Sequence, residues 1–207
     1  MLYTLPMIKT IIFDIGGVVT HTDFKTIYSN FARRIGVSPQ FVIDYHKNNT
    51  SDLLLGNISV EKFWQDMRDA GADPDLDLEA IWLDEGLKNR EVNTELLAII
   101  ENLRKRYSVG ALSNLTAHRG LIDEKLNLYS HFDYVILSYQ EHLKKPDGAF
   151  YRLALSKASA KPEEAIFVDD KPSCTVGANQ VGIRSVLYAY PDNVKFLHDI
   201  KELGVEI

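Results

Sequence analysis

Five short runs of apolar, β-branched and aromatic residues punctuate the chain: TIIFDI at 10–15, YSVGALS at 107–113, DYVILSY at 133–139, EAIFVDD at 164–170 and IRSVLYAY at 183–190. Runs of this length, bounded by polar residues and turn formers, predict buried strands. Helical periodicity separates them, most clearly in NTELLAIIENLRKRY at 93–107, where Asn93 or Thr94 is placed to cap the first turn. Further helical segments fall near 146–160 and 172–181. Strands that alternate with helices predict a parallel sheet with crossover helices, an α/β architecture.

One region breaks this alternation. Residues 22–90 carry helical patterns (FKTIYSNFARRIG, SVEKFWQDMRDAG, DLEAIWLDEGL) and no convincing strand, which predicts a helical insertion directly after the first strand. Gly36, Gly56, Gly71 and Gly86 read as helix ends or turns within it. Phe41, Tyr45, Phe63, Trp64 and Trp82 fall at helical spacing, which predicts that most of them form the insertion's own core rather than a cleft lining.

Composition narrows the class. The 207 residues suffice for one core plus a modest insertion, and 45% hydrophobic with 25% charged residues is ordinary for a packed globular fold. A formal charge of -6 speaks against general nucleic-acid binding, which needs a Lys/Arg surface. The one basic cluster, Arg104 to Arg106, lies where a helix should end and complements its dipole. A single cysteine, Cys174, excludes an intrachain disulfide and fits a reducing compartment. No apolar stretch reaches the ~20 residues of a membrane span, and MLYTLPM is too short for a leader's apolar core. The expectation is a cytoplasmic chain without membrane or nucleic-acid partners; its oligomeric state is open.

Ligands of open parallel sheets bind beyond the carboxyl ends of the strands. Four polar clusters fall there: Asp14 with Gly16 and Gly17, Ser113 with Asn114, Lys145, and Asp169 with Asp170. Each alone has an ordinary explanation as a cap, a turn or a solvated side chain. Brought together, they form a chemical kit. Three close carboxylates repel one another unless one is protonated or a cation intervenes, and Mg²⁺ suits such oxygen ligands while keeping room for phosphate oxygens. Ser113, the Asn114 backbone and Lys145 could then hold a phosphoryl group that Asp14 attacks.

In order and context these clusters resemble the motifs of the haloacid dehalogenase-like superfamily. FDIGGVV is similar to its first motif, ALSN to its second, LKKPDGAFY to its Lys-Pro third and FVDDKPSCTVGANQVGI to its fourth. The resemblance implies a Rossmann-like core, residues 1–21 and 91–207, with a helical cap at 22–90. It implies Asp14 as nucleophile and metal ligand, and Gly16 as a ligand through its carbonyl. Asp169 and Asp170 would complete the Mg²⁺ site, with Asp170 the more direct ligand. Ser113, Asn114 and Lys145 would contact phosphate, with Gly17 leaving room beside them. The implied activity is hydrolysis of a small phosphorylated metabolite through an aspartyl-phosphate, with a sugar phosphate among the candidates.

Two positions depart from the pattern. Phosphatases of this family usually carry a second Asp where Gly16 stands, and glycine offers no proton to a leaving group. A DxGxV subgroup resembling sugar-1-phosphate phosphatases shares this glycine, so turnover is still expected, with preference for anomeric sugar, acyl or aryl phosphates whose leaving groups need no acid. His21 and Asp23 are the nearest substitutes in sequence, although hinge polar residues are the simpler reading. Cys174 stands where relatives often carry Asn, which predicts looser support of the metal acids. His118, shortly after Asn114, is the histidine expected to edge the pocket. The rival readings are a dehalogenase, in which Asp14 attacks carbon, and a catalytically weak protein that binds a phosphorylated ligand or a partner.

Overall fold

A computed structural model describes residues 7–207; the opening MLYTLP, and with it most of the segment weighed as a leader, lies outside them. The elements run β1 (Thr10–Phe13), β2 (Thr20–Thr22), α1 (Phe24–Ile35), α2 (Pro39–Asn48), α3 (Thr50–Leu54), α4 (Val60–Asp69), α5 (Leu78–Lys88) and β3 (Arg90–Val92). They continue with α6 (Thr94–Leu103), β4 (Ser108–Ser113), α7 (Ala117–Lys125), β5 (Tyr134–Leu137), α8 (Ser138–Glu141) and α9 (Gly148–Lys157). The last are β6 (Ala165–Asp169), α10 (Pro172–Gln180), β7 (Arg184–Leu187) and α11 (Asn193–Glu202).

The five predicted strands form one parallel sheet in the order β5-β4-β1-β6-β7. This is an α/β, Rossmann-like fold, and it sandwiches the sheet because strand side chains alternate in direction. Ile11 and Phe13 join Leu96, Ile100, Phe196 and Ile200 of α6 and α11 on one face. Ile12 and Phe167 join Phe150, Tyr151 and Ala178 of α9 and α10 on the other. β1 is central, between β4 and β6, and its carboxyl end delivers Asp14 to the middle of the sheet edge.

Helices α1–α5 gather around a separate apolar cluster containing Phe31, Phe63, Met67 and Trp82, which Ile122 of α7 also enters. Phe63 and Trp82 are fully buried there, while Tyr45 and Trp64 pack against the cluster and Phe41 stays exposed. Helix starts follow local chemistry: Asp23, Ser59, Asp77 and Asn93 each accept a hydrogen bond from a backbone N–H in the first turn of the helix they precede. Each such cap is worth about 1 kcal/mol. Arg104 lies just past the end of α6 as expected and pairs with Asp133.

Two features differ from the sequence expectation. The chain enters and leaves the helical layer through a two-stranded antiparallel ribbon, Thr20 to Thr22 against Arg90 to Val92, too short to stand out as a strand pattern. Gly86 is not a helix end; it lies inside α5, where a Cβ would meet Ile122 Cδ1 at 2.3 Å. Its missing side chain lets α5 and α7 approach. Gly36, Gly56 and Gly71 do take left-handed φ at or near helix ends.

Candidate active site

All four polar clusters meet at the carboxyl ends of the central strands. Asp14 and Asp169 are buried, and Lys145 lies between them, its Nζ 3.0 Å from Asp14 Oδ1 and 2.7 Å from Asp169 Oδ2. Lys145 is thus a buried cation and not a solvated side chain. Burial by itself would lower the Lys145 pKa, but Asp14 and Asp169 outweigh it and the net direction is upward. For Asp14, burial pushes the pKa up more than the Lys145 charge pulls it down.

Hydrogen bonds divide the carboxylate oxygens into occupied and available ones. Asp14 Oδ1 accepts the Ile15 N–H at 2.7 Å as well as facing Lys145, which leaves Oδ2 toward the cavity. Asp169 is taken up on both sides, Oδ2 by Lys145 and Oδ1 by the Lys171 N–H at 2.8 Å. Asp170 differs, because its Oδ1 is buried without a hydrogen-bond partner. Burial raises the Asp170 pKa, with Lys171 opposing that rise.

Asp14, Asp169 and Asp170 each offer an oxygen within 4.8 Å of the others. An orphaned carboxylate oxygen beside two further carboxylates is a costly arrangement that a divalent cation relieves, so the residues present fit Mg²⁺. Gly17 belongs to this geometry: at φ 86° it tolerates a conformation that other residues resist, and a Cβ would sit 2.3 Å from Asp170 Oδ2. Gly16 has the opposite surroundings, with nothing within 4 Å of where a Cβ would stand.

Ser113 is buried at the end of β4 and lines the cavity together with Asn114. The Asn114 side chain has a role the sequence did not announce: its Nδ2 donates to the Lys145 carbonyl at 2.9 Å and its Oδ1 accepts the Lys145 N–H at 2.8 Å. This two-way clasp fixes the backbone that carries the buried ammonium. A second clasp came from a residue without a motif: Ser138 Oγ accepts the Leu115 N–H and donates to the Leu115 carbonyl, both at 3.0 Å.

The cavity above these groups measures about 290 Å³ and is lined by Asp14, Gly16, Ser113, Asn114 and Asp170 from the sheet edge. Gly17, Thr20, His21, Thr22 and Arg90 of the ribbon and its approach, with Phe24, Leu115, Arg119 and Lys171, complete it. Arg90 is buried against Asp123 and donates to Thr20 Oγ1 at 3.0 Å. Neither Arg90 nor Arg119 was singled out from sequence, since both sit outside the motif clusters; Lys171, adjacent to the acidic pair, carried the clearest missed signal.

The remaining candidates separate cleanly. Asp23 is the cap of α1, accepting from Thr26 N–H at 3.1 Å and Thr26 Oγ1–H at 2.6 Å, and these hydrogen bonds lower its pKa. That makes it a poor proton donor. His21 lines the cavity and stacks on Tyr190 at 5.3 Å between ring centroids. His118 does not edge this cavity; its ring is buried, 2.8 Å from His46 Nε2 and stacked on Phe63. Cys174 is buried and its thiol pushed up to about 11, chiefly by burial, which is the state of an inert cysteine.

A parallel α/β fold with acids, a hydroxyl and a buried lysine at one sheet edge defines a hydrolase site. A family model described as haloacid dehalogenase-like hydrolase matches residues 8–182, and the chain belongs to that family. D-ribitol-5-phosphate phosphatase of Bacteroides thetaiotaomicron is 29% identical over 178 residues, covering 81% of this chain and 85% of that protein. Bifunctional epoxide hydrolase 2 of Sus scrofa is 23% identical over 221 residues, covering 97% of this chain. The chain spans only 40% of that protein's length, and 35% and 40% of the next two curated relatives. Among solved structures, a HAD family enzyme of Bacteroides thetaiotaomicron in complex with magnesium and inorganic phosphate superposes with a TM-score of 0.76 at 23% identity, covering 91% of this chain and 98% of that one. Among the described residues no helix is long and apolar enough to cross a membrane.

Proposed function

We propose that this hydrolase is a Mg²⁺-dependent phosphatase of a small phosphorylated metabolite, acting through a phosphoryl group carried on Asp14. The observation that carries the reading is the buried, partnerless Asp170 Oδ1 beside Asp14 and Asp169, with Lys145 already neutralising the inner side of that group. An acidic site with an oxygen to spare suits a divalent cation and a phosphate better than halide displacement, which argues against the dehalogenase alternative. The magnesium and phosphate in the structural relative and the phosphatase among the curated relatives support the same direction.

Each residue then has a task. Asp14 Oδ2, the oxygen facing the cavity, attacks phosphorus as the bond to the ester oxygen breaks. Lys145 and Ile15 N–H hold Oδ1, fixing the carboxylate plane in the attacking orientation. The Ser113 hydroxyl and the Asn114 backbone steady the phosphoryl oxygens, while the Asn114 side chain keeps Lys145 in place. Water then attacks the phosphoryl group, returning the Asp14 carboxylate and releasing inorganic phosphate. Asp14, Asp170, Asp169 and the Gly16 carbonyl would hold Mg²⁺, which when bound withdraws charge from phosphate and lets Asp14 approach it as an anion. Because Gly16 supplies no acid, leaving groups that depart as stable anions are favoured. Helices α1–α5 would serve as the cap, with residues 22–90 inserted into a core of 1–21 and 91–207.

The test is phosphate release from a panel of sugar, acyl, aryl and alkyl phosphates, with Mg²⁺ or EDTA, for wild type and Asp14→Asn. Release that needs Mg²⁺ and disappears in Asp14→Asn supports the proposal. A folded, Mg²⁺-binding protein that releases none would instead favour a phospho-ligand binding role.

A further inference from the structure

The site cavity does not end at the phosphate groups. A second cavity of about 370 Å³ shares Asn114, Arg119 and Lys171 with the first and extends beneath the helical layer. Tyr28, Lys47 and the aliphatic Ile43, Leu53 and Leu54 stand in the rest of its wall. Three cations line it and no carboxylate does, in a chain of net charge -6.

Some cations around the helical layer are held by carboxylates and these are not. Arg34, Lys62 and Lys88 each have an acidic partner close by. Among the described residues, Lys47, Arg119 and Lys171 have no carboxylate oxygen within 4.0 Å. The nearest acid acting on Arg119 is Asp123, one turn further along α7, and Arg90 already engages it.

Arg119 is held ready between the two cavities. Its guanidinium lies over the Phe24 ring at 3.9 Å and donates to the Tyr28 hydroxyl, while its buried Nε has no partner. A cation stacked on an aromatic ring with an N–H left unpaired is arranged for an anionic ligand. Burial lowers the Arg119 pKa to about 10, so the group stays charged at neutral pH.

We infer that the second cavity, through Arg119, Lys47 and Lys171, binds a second anionic group of the substrate, so that the enzyme acts on phosphomonoesters carrying a further phosphate or a carboxylate. The inference rests on the phosphatase reading and adds the substrate class. One end of such a molecule reaches Asp14 while the other neutralises the unpaired cations.

The test compares matched pairs: fructose bisphosphate against fructose monophosphate, and phosphoglycerate against glycerol phosphate. Phosphate release is measured with Mg²⁺, and equilibrium binding of the same compounds is measured by calorimetry on Asp14→Asn. The expected result is a preference of about tenfold or more for the doubly anionic member, expressed in KM and weakened by salt. Arg119→Gln and the surface variant Lys47→Gln should each shrink that ratio, and Arg119→Lys should keep part of it. Which pair shows the larger ratio distinguishes a second phosphate from a carboxylate. Equal turnover within both pairs, or a ratio unmoved by either glutamine variant, overturns the inference while leaving the phosphatase reading intact. If none of these alkyl esters releases phosphate, the calorimetric ratio alone decides for or against the anion site, and the phosphatase reading is decided separately by the aryl and acyl phosphates of the panel above.

Discussion

Lowering the pH from about 8 to about 5 should remove about 2 kcal/mol of folding stability through His46, one member of a buried histidine pair. His46 and His118 touch through their Nε2 atoms at 2.8 Å, and His46 Nδ1 lies 2.9 Å from the Val42 carbonyl. A carbonyl only accepts, so His46 carries its proton on Nδ1 and its Nε2 accepts the Nε2–H of His118. Protonating either ring would either set two N–H groups against each other or place a cation among Tyr28, Phe63 and Trp82. Burial accordingly holds His46 down to about 4, against an ordinary value of 6.5, and His118 well below 6.5 as well. The sign follows from linkage: below 6.5 the unfolded chain takes up a proton that the folded chain refuses. The contribution is therefore complete above 6.5 and is lost progressively as pH falls toward 4. With those two values, His46 alone accounts for about 2 kcal/mol by about pH 5, and on the order of 3 kcal/mol at full protonation. The assay is urea unfolding at several pH values for wild type, His46→Gln and the double His46→Gln/His118→Gln variant. The variants should lose much of the slope between about pH 7 and about pH 5 even if less stable throughout. Profiles that run parallel to wild type would refute the reasoning.

Three further predictions concern the site. Gly17→Ala should weaken Mg²⁺ binding by tenfold or so, since the new methyl would press on Asp170 and the residue would hold a left-handed φ, and metal titration monitored by calorimetry checks it. Gly16→Asp has open space for its side chain and should raise turnover of alkyl phosphates by about a hundredfold if a missing acid limits them, as steady-state kinetics on an alkyl and an aryl phosphate would show. Lys145→Gln leaves Asp14 and Asp169 buried without their shared cation, and should destabilise the metal-free protein by about 3 to 5 kcal/mol, with added Mg²⁺ recovering part of that loss in thermal unfolding.

Strand order and site were readable for different physical reasons. The central strands β1, β4 and β6 are buried on both faces and the edge strands β5 and β7 only in part, yet all five keep apolar runs that stand out, and chain order alone places the polar clusters at their ends. Asp14, Ser113, Asn114, Lys145, Asp169 and Asp170 do converge, as their positions after those runs implied. The ribbon of Thr20–Thr22 and Arg90–Val92 was invisible because three-residue strands carry too few positions for a period to register. Gly86 was misread because a glycine that ends a helix and one that admits a neighbouring side chain look alike in a single sequence. His118 was drawn toward the cavity by its nearness in sequence to Asn114, whereas α7 turns it into the aromatic cluster of the helical layer. Arg119, one residue on, faces the cavity.

Transfer of the phosphoryl group to Asp14 is the step on which the proposed chemistry depends most directly. Wild-type protein mixed with Mg²⁺ and an aryl phosphate, quenched in acid within the first turnover and digested for mass spectrometry, should yield the peptide containing Asp14 with a phosphoryl adduct. The adduct should be absent with EDTA and in Asp14→Asn. Phosphate release that proceeds without any adduct at Asp14, or that survives Asp14→Asn, would contradict it.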